Sequence, residues 1–277
     1  MSQIPGFDQD PRDFRRSLKK SSFALGALFL APSQRRELEI FYAFCRAVDD
    51  CADDHPPAQA KLYLARWRQA LAKAPDSQAP LLVRELHALA ARHAIPLALF
   101  RELVTGALSD LRPKVRFTDA RALETYCHQV AGVVGQICLP LFGVDRVRGK
   151  EYAETLARAF QLINILRDVR EDAARGRIYF TLADLKAQGV EEKDFLQGKI
   201  PQALLALYAE RARVLLARSD ALARALPRQG LGPSRMMRRL YGSLLDQMQK
   251  DGLRVLEKRY RLRAIQKIWA VLGGWRR

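Results

Sequence analysis

The 277-residue sequence has no run of about 18 uncharged apolar residues, the length that a membrane-spanning helix needs. Its first residues carry charges with no apolar stretch behind them, so we expect no secretory signal and a cytoplasmic protein. Long Ser/Gly or Pro linkers and repeats of about 20–50 residues are also missing. These absences argue against an integral membrane protein and a solenoid, and they favour a single domain over residues 1–277.

Cysteines are few, and none has the CxxC spacing of a zinc site. The four, Cys45, Cys51, Cys127 and Cys138, lie within apolar helical patterns. We therefore interpret them as reduced thiols in the core of a cytosolic protein.

The chain is strongly basic, with 47 Lys and Arg residues against 30 Asp and Glu and a net charge of +17. Apolar residues make up 49% of it, enough to form a core, so the composition excludes a disordered protein. The positive excess is compatible with three kinds of partner: nucleic acid, an anionic membrane surface, or phosphorylated substrates.

The sequence pattern is helical almost throughout. Ala, Leu, Arg and Glu dominate, and runs of β-branched residues are scarce, so we expect an all-α fold. In the first segment apolar residues recur every three or four positions from Leu38 to Ala52, and Ser33 is the expected N-cap. Helices are predicted at residues 33–54, 57–73, 79–93, 97–111, 119–141, 148–173, 201–226 and 233–258.

Two acidic clusters lie inside these apolar helices. In the first, Asp49 and Asp53 are four residues apart, as are Asp50 and Asp54, so each pair of carboxylates stacks on one helix face. Like charges at this spacing repel one another unless a cation lies between them. One such cluster alone is equally compatible with a solvated, charge-paired face.

The second cluster repeats the four-residue step in Asn164, Asp168 and Asp172, and Gln161 precedes it by three residues. Oxygen ligands in this pattern suit Mg²⁺, which takes a few carboxylates together with substrate phosphates. Two clusters that face each other across a bundle indicate a site for a metal-bound diphosphate. Four arginines are candidates for charge-assisted hydrogen bonds to it, namely Arg46, Arg167, Arg175 and Arg177.

A third segment places Gly132 and Gly135 inside a predicted helix. Each glycine destabilises a helix by about 0.5–1 kcal/mol relative to alanine, so we expect the absence of a side chain at these positions to have a compensating benefit. Close helix packing and room for a bulky ligand are both open. Tyr126 lies on an apolar face of this helix, and we interpret His128 as a core residue rather than a base.

Four motifs in this order resemble the squalene/phytoene synthase family, and the resemblance covers about Lys20 to Lys267. The motifs are SSF at 21–23, YAFCRAVDDCADD at 42–54, ETYCHQVAGVVG at 124–135 and QLINILRDVREDAARGRIYF at 161–180. The resemblance implies an all-α isoprenoid-synthase bundle with a central active-site cavity. Where the family carries an acidic stretch, residues 106–113 here retain Asp110 alone, to which we assign no role.

The resemblance also implies roles for individual residues. Two or three Mg²⁺ ions are expected on Asp49, Asp53, Asn164, Asp168 and Asp172, whose four carboxylates count as catalytic. Tyr126 matches the family's proton-handling tyrosine. Substrate contacts are expected from Ser22, Phe23, Tyr42, Arg46, Gln161, Arg167, Arg177 and Tyr241.

The function implied is head-to-head condensation of two farnesyl diphosphates to presqualene diphosphate, a C30 precursor of hopanoids. Phytoene synthase, dehydrosqualene synthase and a full squalene synthase with NADPH are the alternatives. On the resemblance we favour the reaction without NADPH, and no GxGxxG follows a strand pattern. A helical nucleic-acid-binding protein would show a basic stripe free of carboxylates, so we expect no nucleic acid.

The C-terminal tail, residues 264–277, is basic and amphipathic. Ile265, Ile268, Trp269 and Leu272 recur at helical spacing among lysines and arginines. This pattern suits an interfacial helix on an anionic membrane, which would place the protein at the inner membrane surface. A terminal helix packed on the body of the protein is the alternative.

Overall fold

The computed structural model describes residues 4, 6–7, 10 and 26–261. Within these residues the chain forms eleven α-helices and no strand, so the predicted all-α fold is confirmed. None of the described helices is long and apolar enough to cross a bilayer. Ser22, Phe23 and the basic tail at 264–277 lie outside the described residues, and their predicted roles stay predictions.

The helices follow one another with short connections. They are α1 (Pro32–Asp53), α2 (Pro57–Ala70), α3 (Leu81–Arg92), α4 (Leu97–Ser109), α5 (Ala120–Cys127), α6 (Val133–Leu141), α7 (Arg146–Ala174), α8 (Leu182–Ala187), α9 (Glu192–Leu196), α10 (Gln202–Arg224) and α11 (Gly232–Lys250). A single turn of π-helix, His128–Gly132, joins α5 to α6 and is called the π turn below.

Ser33 is not the N-cap of α1, contrary to our expectation. The helix begins at Pro32, and Ala31 is the N-cap residue. Proline suits the first helical position because the N–H that it lacks would have no partner within the helix. The Gln34 side chain takes over the capping role, since its Oε1 accepts a hydrogen bond from the Ala31 N–H at 3.1 Å.

The short helices α8 and α9 were not predicted, and most other predicted bounds differ from the structure by one to three residues. Two differences are larger. The helix predicted at 233–258 ends at Lys250, where Gly252 adopts a φ of 70° that a glycine tolerates and most residues do not. The segment predicted as one helix at 119–141 is divided by the π turn. Single π turns of this kind are frequent at functional sites.

Two large apolar clusters form most of the core, beside a small one around Met236 and Leu240. One surrounds α1 to α4 and contains Phe41, Phe44, Trp67 and Phe100, all fully buried. The other is built on α7, which packs along α6 and α10. All four cysteines are free thiols. Cys51, Cys127 and Cys138 are buried core residues, as interpreted, whereas Cys45 is only partly buried and lines the cavity described below.

Candidate active site

A cavity of about 520 Å³ opens among α1, α4, α6, α7 and α11, within the range of about 300–1,000 Å³ typical of small-molecule sites. Its apolar lining includes Leu38, Leu103, Val130, Val134, Leu139, Phe142, Leu156 and Met237. Its charged and amide lining is formed by Asp49, Asp53, Asp110, Gln161, Asn164, Arg175 and Arg177, and the hydroxyl-bearing residues Tyr126, Tyr152, Ser234 and Tyr241 also line it. A cavity of this composition suits a molecule with an anionic head and a hydrocarbon tail.

The first acidic motif turns one of its two carboxylate pairs to the cavity. Asp49 and Asp53 line it from the last turns of α1. Asp49 is exposed at the cavity. The protein atoms around its carboxylate still reduce solvation, and this effect, followed by the charge of Asp53, raises its pKa to about 7. On the opposite face Asp50 pairs with the exposed Arg46 at 2.5 Å. Arg46 is therefore not part of the cavity lining.

The second motif presents two amides to the cavity, those of Gln161 and Asn164. The Asn164 Oδ1 is buried and accepts no hydrogen bond from the described residues, while Nδ2 donates to Gln161 Oε1 at 3.4 Å. A buried oxygen without a partner costs free energy, so a ligand there would restore a lost interaction. Asp172 is half-buried, and burial, followed by the charge of Asp168, raises its pKa to about 6.

Asp168 is held by arginines and is not among the residues that line the cavity. Arg167 donates to its two oxygens at 2.9 and 2.5 Å, and Arg259 Nη2 lies 3.0 Å from Oδ1. Arg259 also pairs with Glu171 at 3.0 Å. The roles of Asp168 as a metal ligand and of Arg167 on diphosphate stay predictions, and the former requires a guanidinium group to move away from the carboxylate.

Oxygen donors from both motifs line the same cavity, and their chemistry fits Mg²⁺. They are the Asp49 and Asp53 carboxylates and the unpartnered Asn164 Oδ1. In the part of the chain that the structure describes, no three acidic, histidine or cysteine side chains cluster closely enough to hold an ion alone. Mg²⁺ commonly shares its shell between one or two carboxylates, water and substrate phosphates.

Arg177 links the two motifs electrostatically. Burial disfavours its charged form, but Tyr179, Asp110, Asp53 and Asp172 outweigh that effect, and the pKa of Arg177 is raised. The guanidinium group thus stays charged beside carboxylates from α1, from the end of α4 and from α7. It is placed to bind an anion held by the same carboxylates through a metal.

Tyr126 belongs to a hydrogen-bonded group that the sequence did not indicate. Its hydroxyl donates to Asp110 Oδ2 at 3.1 Å, and the Tyr179 hydroxyl donates to Asp110 Oδ1 at 2.8 Å. The Phe117 ring packs against both phenol rings. Burial raises the pKa of Asp110, although the two tyrosines and Arg177 oppose that change. Burial, followed by the charge of Asp110, also raises the pKa of Tyr126, so this phenol keeps its proton.

The two glycines beyond Tyr126 have different neighbours. At Gly135 a Cβ atom would lie 3.1 Å from the Ala153 carbonyl oxygen and 3.2 Å from its Cβ, so this glycine serves close packing of α6 on α7. At Gly132 a Cβ atom would lie 3.0 Å from His128 Nδ1. The His128 ring fills that space, and its Nε2 lies 3.1 Å from Glu102 of α4. The room at both glycines is taken by protein.

The remaining predicted residues divide between the cavity and its surroundings. Tyr126, Gln161, Arg177 and Tyr241 line the cavity, together with Arg175. Tyr42 packs against the α1 to α4 core instead.

Three residues near the site escaped prediction. Tyr179 follows Arg177 by two positions within a matched motif, so its hydroxyl could have been noticed as polar in an apolar segment. Phe160 immediately precedes Gln161 and was not singled out, because an aromatic residue is unremarkable in an apolar helical segment. Arg259 stands far along the chain from Asp168, and no local pattern connects them.

Comparison with known proteins identifies the family. A model of the squalene/phytoene synthase family matches residues 18–266. The presqualene diphosphate synthase of Zymomonas mobilis is 32% identical over 282 residues, which cover 98% of this chain and 95% of the relative. The phytoene synthase of Mycobacterium tuberculosis is 36% identical over 202 residues, which cover 69% of this chain and 65% of the relative.

Among solved structures, a squalene synthase from Alicyclobacillus acidocaldarius aligns with a TM-score of 0.78 and 26% identity, covering 87% of this chain and 92% of that protein. The family match spans nearly all the described residues, and the predicted family and enzyme class are confirmed. The chain belongs to the squalene/phytoene synthase family and is a prenyltransferase.

Proposed function

We propose that this prenyltransferase condenses two molecules of farnesyl diphosphate head to head, forming presqualene diphosphate with release of one diphosphate and one proton. The observation that carries the proposal is the polar lining, with acidic and amide groups from two helices, at one apolar cavity. The likeness to a presqualene diphosphate synthase over nearly the full length of both chains supports the C15 substrate.

The polar lining binds the departing diphosphate. Asp49, Asp53 and Asn164 would hold Mg²⁺, with Asp168 and Asp172 joining them as predicted. When bound, the metal acts as a Lewis acid and makes diphosphate a better leaving group. Arg177 and Arg175 would donate to the diphosphate oxygens and hold the first substrate in one orientation.

The apolar lining keeps water away from the reacting carbon atoms. Phe142, Leu156, Val130 and their neighbours surround the space where the hydrocarbon chains would lie. Loss of diphosphate leaves an allylic cation, which water would capture as an alcohol. Enclosure by these side chains lets the C2–C3 double bond of the second substrate react with the cation instead.

Tyr126 and Asp110 handle the proton that is lost when the cyclopropane ring closes. Because Tyr126 keeps its own proton, it can accept another only by passing the first to Asp110 along their hydrogen bond. The raised pKa of Asp110 makes that carboxylate a better proton acceptor than an ordinary aspartate. Released diphosphate is the alternative base.

Product identification after incubation with farnesyl diphosphate and Mg²⁺, with and without NADPH, tests this function. We expect presqualene diphosphate in both mixtures, and squalene in the second would show that NADPH is used. Asp49→Asn should abolish turnover, whereas Asp54→Asn, at the exposed C-cap of the same helix, should not. Full activity of Asp49→Asn would refute the assigned site.

The second candidate is phytoene synthase, which the match to the Mycobacterium tuberculosis enzyme favours. The same metal-binding residues would serve it, but the substrates would be C20 diphosphates, and the product would be a hydrocarbon formed with release of both diphosphates and two protons. Parallel assays with C15 and C20 diphosphates separate the two. A higher kcat/KM for the C20 substrate would replace our first proposal.

The site of action is proposed to be the cytoplasmic face of the inner membrane, because a C30 hydrocarbon chain partitions into lipid. The basic tail at residues 264–277 would provide the contact. Sedimentation with anionic liposomes tests this part, and binding that is unchanged after deletion of 264–277 would exclude the tail.

A further inference from the structure

The cavity wall between α7 and α11 contains a pair of stacked aromatic rings. The centroids of Phe160 and Tyr241 lie 4.1 Å apart, and the ring planes are inclined by 21°. Both side chains line the cavity and both are partly accessible. The stack is therefore part of the surface that a substrate meets.

The phenol of Tyr241 extends from this stack toward the second acidic motif. Asn164, one helical turn beyond Phe160 on α7, lines the same cavity as Tyr241. Burial raises the pKa of Tyr241, and the nearby Arg167 charge and the Asn164 side chain oppose that rise. Phe160 and Asn164 share a face of α7 because they are four residues apart. One end of the Tyr241 side chain thus contacts an apolar ring and the other contacts the polar lining.

A second contact fixes the same helices elsewhere. The Tyr152 hydroxyl donates to Ser234 Oγ at 2.8 Å, and both residues line the cavity. The backbone of α11 is therefore held on α7 without help from the aromatic pair. What the Phe160 ring adds is the orientation of one side chain, since stacking restricts the tilt of a neighbouring ring.

We propose that Phe160 is a positioning residue, whose ring holds the Tyr241 hydroxyl at Asn164 beside the place where diphosphate leaves. This inference rests on the proposed function. A leucine would fill similar space without a flat face, and the phenol could then tilt away from the polar lining. Phe160 itself need not touch the reacting atoms.

A double-mutant cycle tests the proposal. Phe160→Leu should lower kcat about five- to tenfold with little change in KM, and Phe160→Tyr, which keeps a ring, should retain most of the activity. In a Tyr241→Phe background, Phe160→Leu should cost less than twofold, because the hydroxyl that it positions is already gone. The matched control is Phe142→Leu, in the same cavity, whose effect should be the same with and without Tyr241→Phe.

Several results would overturn the proposal. Equal kcat for Phe160→Leu and the wild type would do so, as would additive losses in the cycle. Thermal unfolding and circular dichroism establish that each variant folds, and Phe160→Met, with a flexible side chain of similar volume, replaces the leucine variant if that one does not. Absence of any prenyl product from the wild type would instead reject the proposed function, and this inference with it.

Discussion

The Tyr179 hydroxyl donates to Asp110 Oδ1 at 2.8 Å, so the carboxylate that receives the Tyr126 hydrogen bond is oriented from a second side. Hydrogen bonds to the charged form of a carboxylate lower its pKa. Tyr179 thus limits the rise in the Asp110 pKa that burial causes.

We expect Tyr179→Phe to raise the pKa of Asp110 further and to lower kcat about tenfold at neutral pH. If ionised Asp110 is required, the acid limb of kcat/KM moves to higher pH, and a pH profile measures this shift. Tyr208→Phe is the control, since the Tyr208 hydroxyl donates to Asp184 at 2.9 Å away from the cavity. An acid limb at the wild-type position would contradict the role given to Tyr179.

Asp49 makes the stability of the metal-free protein depend on pH. Its pKa is about 7 in the folded protein against an ordinary 3.8. Between these values the folded state binds more protons than the unfolded state, so the free energy of unfolding decreases as pH rises from about 4 to 7. Asp172, with a pKa of about 6, contributes in the lower part of this range.

Urea unfolding in EDTA at several pH values measures this dependence. Asp49→Asn removes one titrating group, so it should flatten the decrease and stabilise the protein more at pH 7.5 than at pH 5. Asp54→Asn should follow the wild type. The same slope for Asp49→Asn and the wild type would mean that Asp49 titrates alike in both states.

The buried Glu37 on α1 is held by two groups at the end of α3. Arg92 Nη1 donates to one oxygen at 2.7 Å, and His93 Nε2 lies 2.9 Å from the other. Arg92→Gln leaves a buried carboxylate short of a partner and should destabilise the protein by about 1–3 kcal/mol. The double variant with Glu37→Gln should lose less than the sum of the single losses.

Chemical denaturation measures these losses. Arg218→Gln breaks an ion pair with Glu151 in which both side chains are exposed, and it should cost no more than about 0.5 kcal/mol. If Arg92→Gln and Arg218→Gln lower the free energy of unfolding equally, burial of Glu37 does not strengthen its pairing with Arg92.

Gly135→Ala and Gly132→Ala should differ in cost. The first forces a methyl group against the Ala153 backbone on α7, which cannot move locally, and we expect a loss of about 1–3 kcal/mol. The second meets only the His128 ring. With His128→Ala present, Gly132→Ala should be neutral or stabilising because alanine favours helix. If Gly132→Ala still destabilises the His128→Ala protein, the steric clash at Gly132 involves a group other than the His128 ring.

Helices were predicted well from the sequence because the apolar stripe of each long helix repeats every three or four residues. The π turn was not predicted, because the one extra residue that it inserts into a helical segment hardly changes the spacing of the apolar residues. A Cβ at Gly106 would lie 2.7 Å from Val130 Cγ1, so the turn depends on a contact with α4 that no local pattern reveals.

Spacing also located the candidate site, because residues four apart share a helix face whatever the tertiary structure. It put Asp49 with Asp53 on one face and Asp50 with Asp54 on another, and only the resemblance selected the first pair, which lines the cavity. Spacing also could not distinguish Asp168 from Asn164, which share a stripe. Their surroundings differ because Arg167 and, from the return of the chain, Arg259 both pair with Asp168. The hydrogen bonds from Tyr126 and Tyr179 to Asp110 likewise join three separate segments of the chain. Nothing in the sequence pattern distinguishes these hydroxyl groups from those of other tyrosines.

The raised pKa values of Asp49, in the cavity lining, and of Asp172, farther along α7, imply that the metal-free site holds bound protons at neutral and mildly acidic pH. A cation can replace those protons only by releasing them into solution. Loading of the enzyme is thus an exchange of protons for metal, and its measured binding heat depends on the ionisation enthalpy of the buffer.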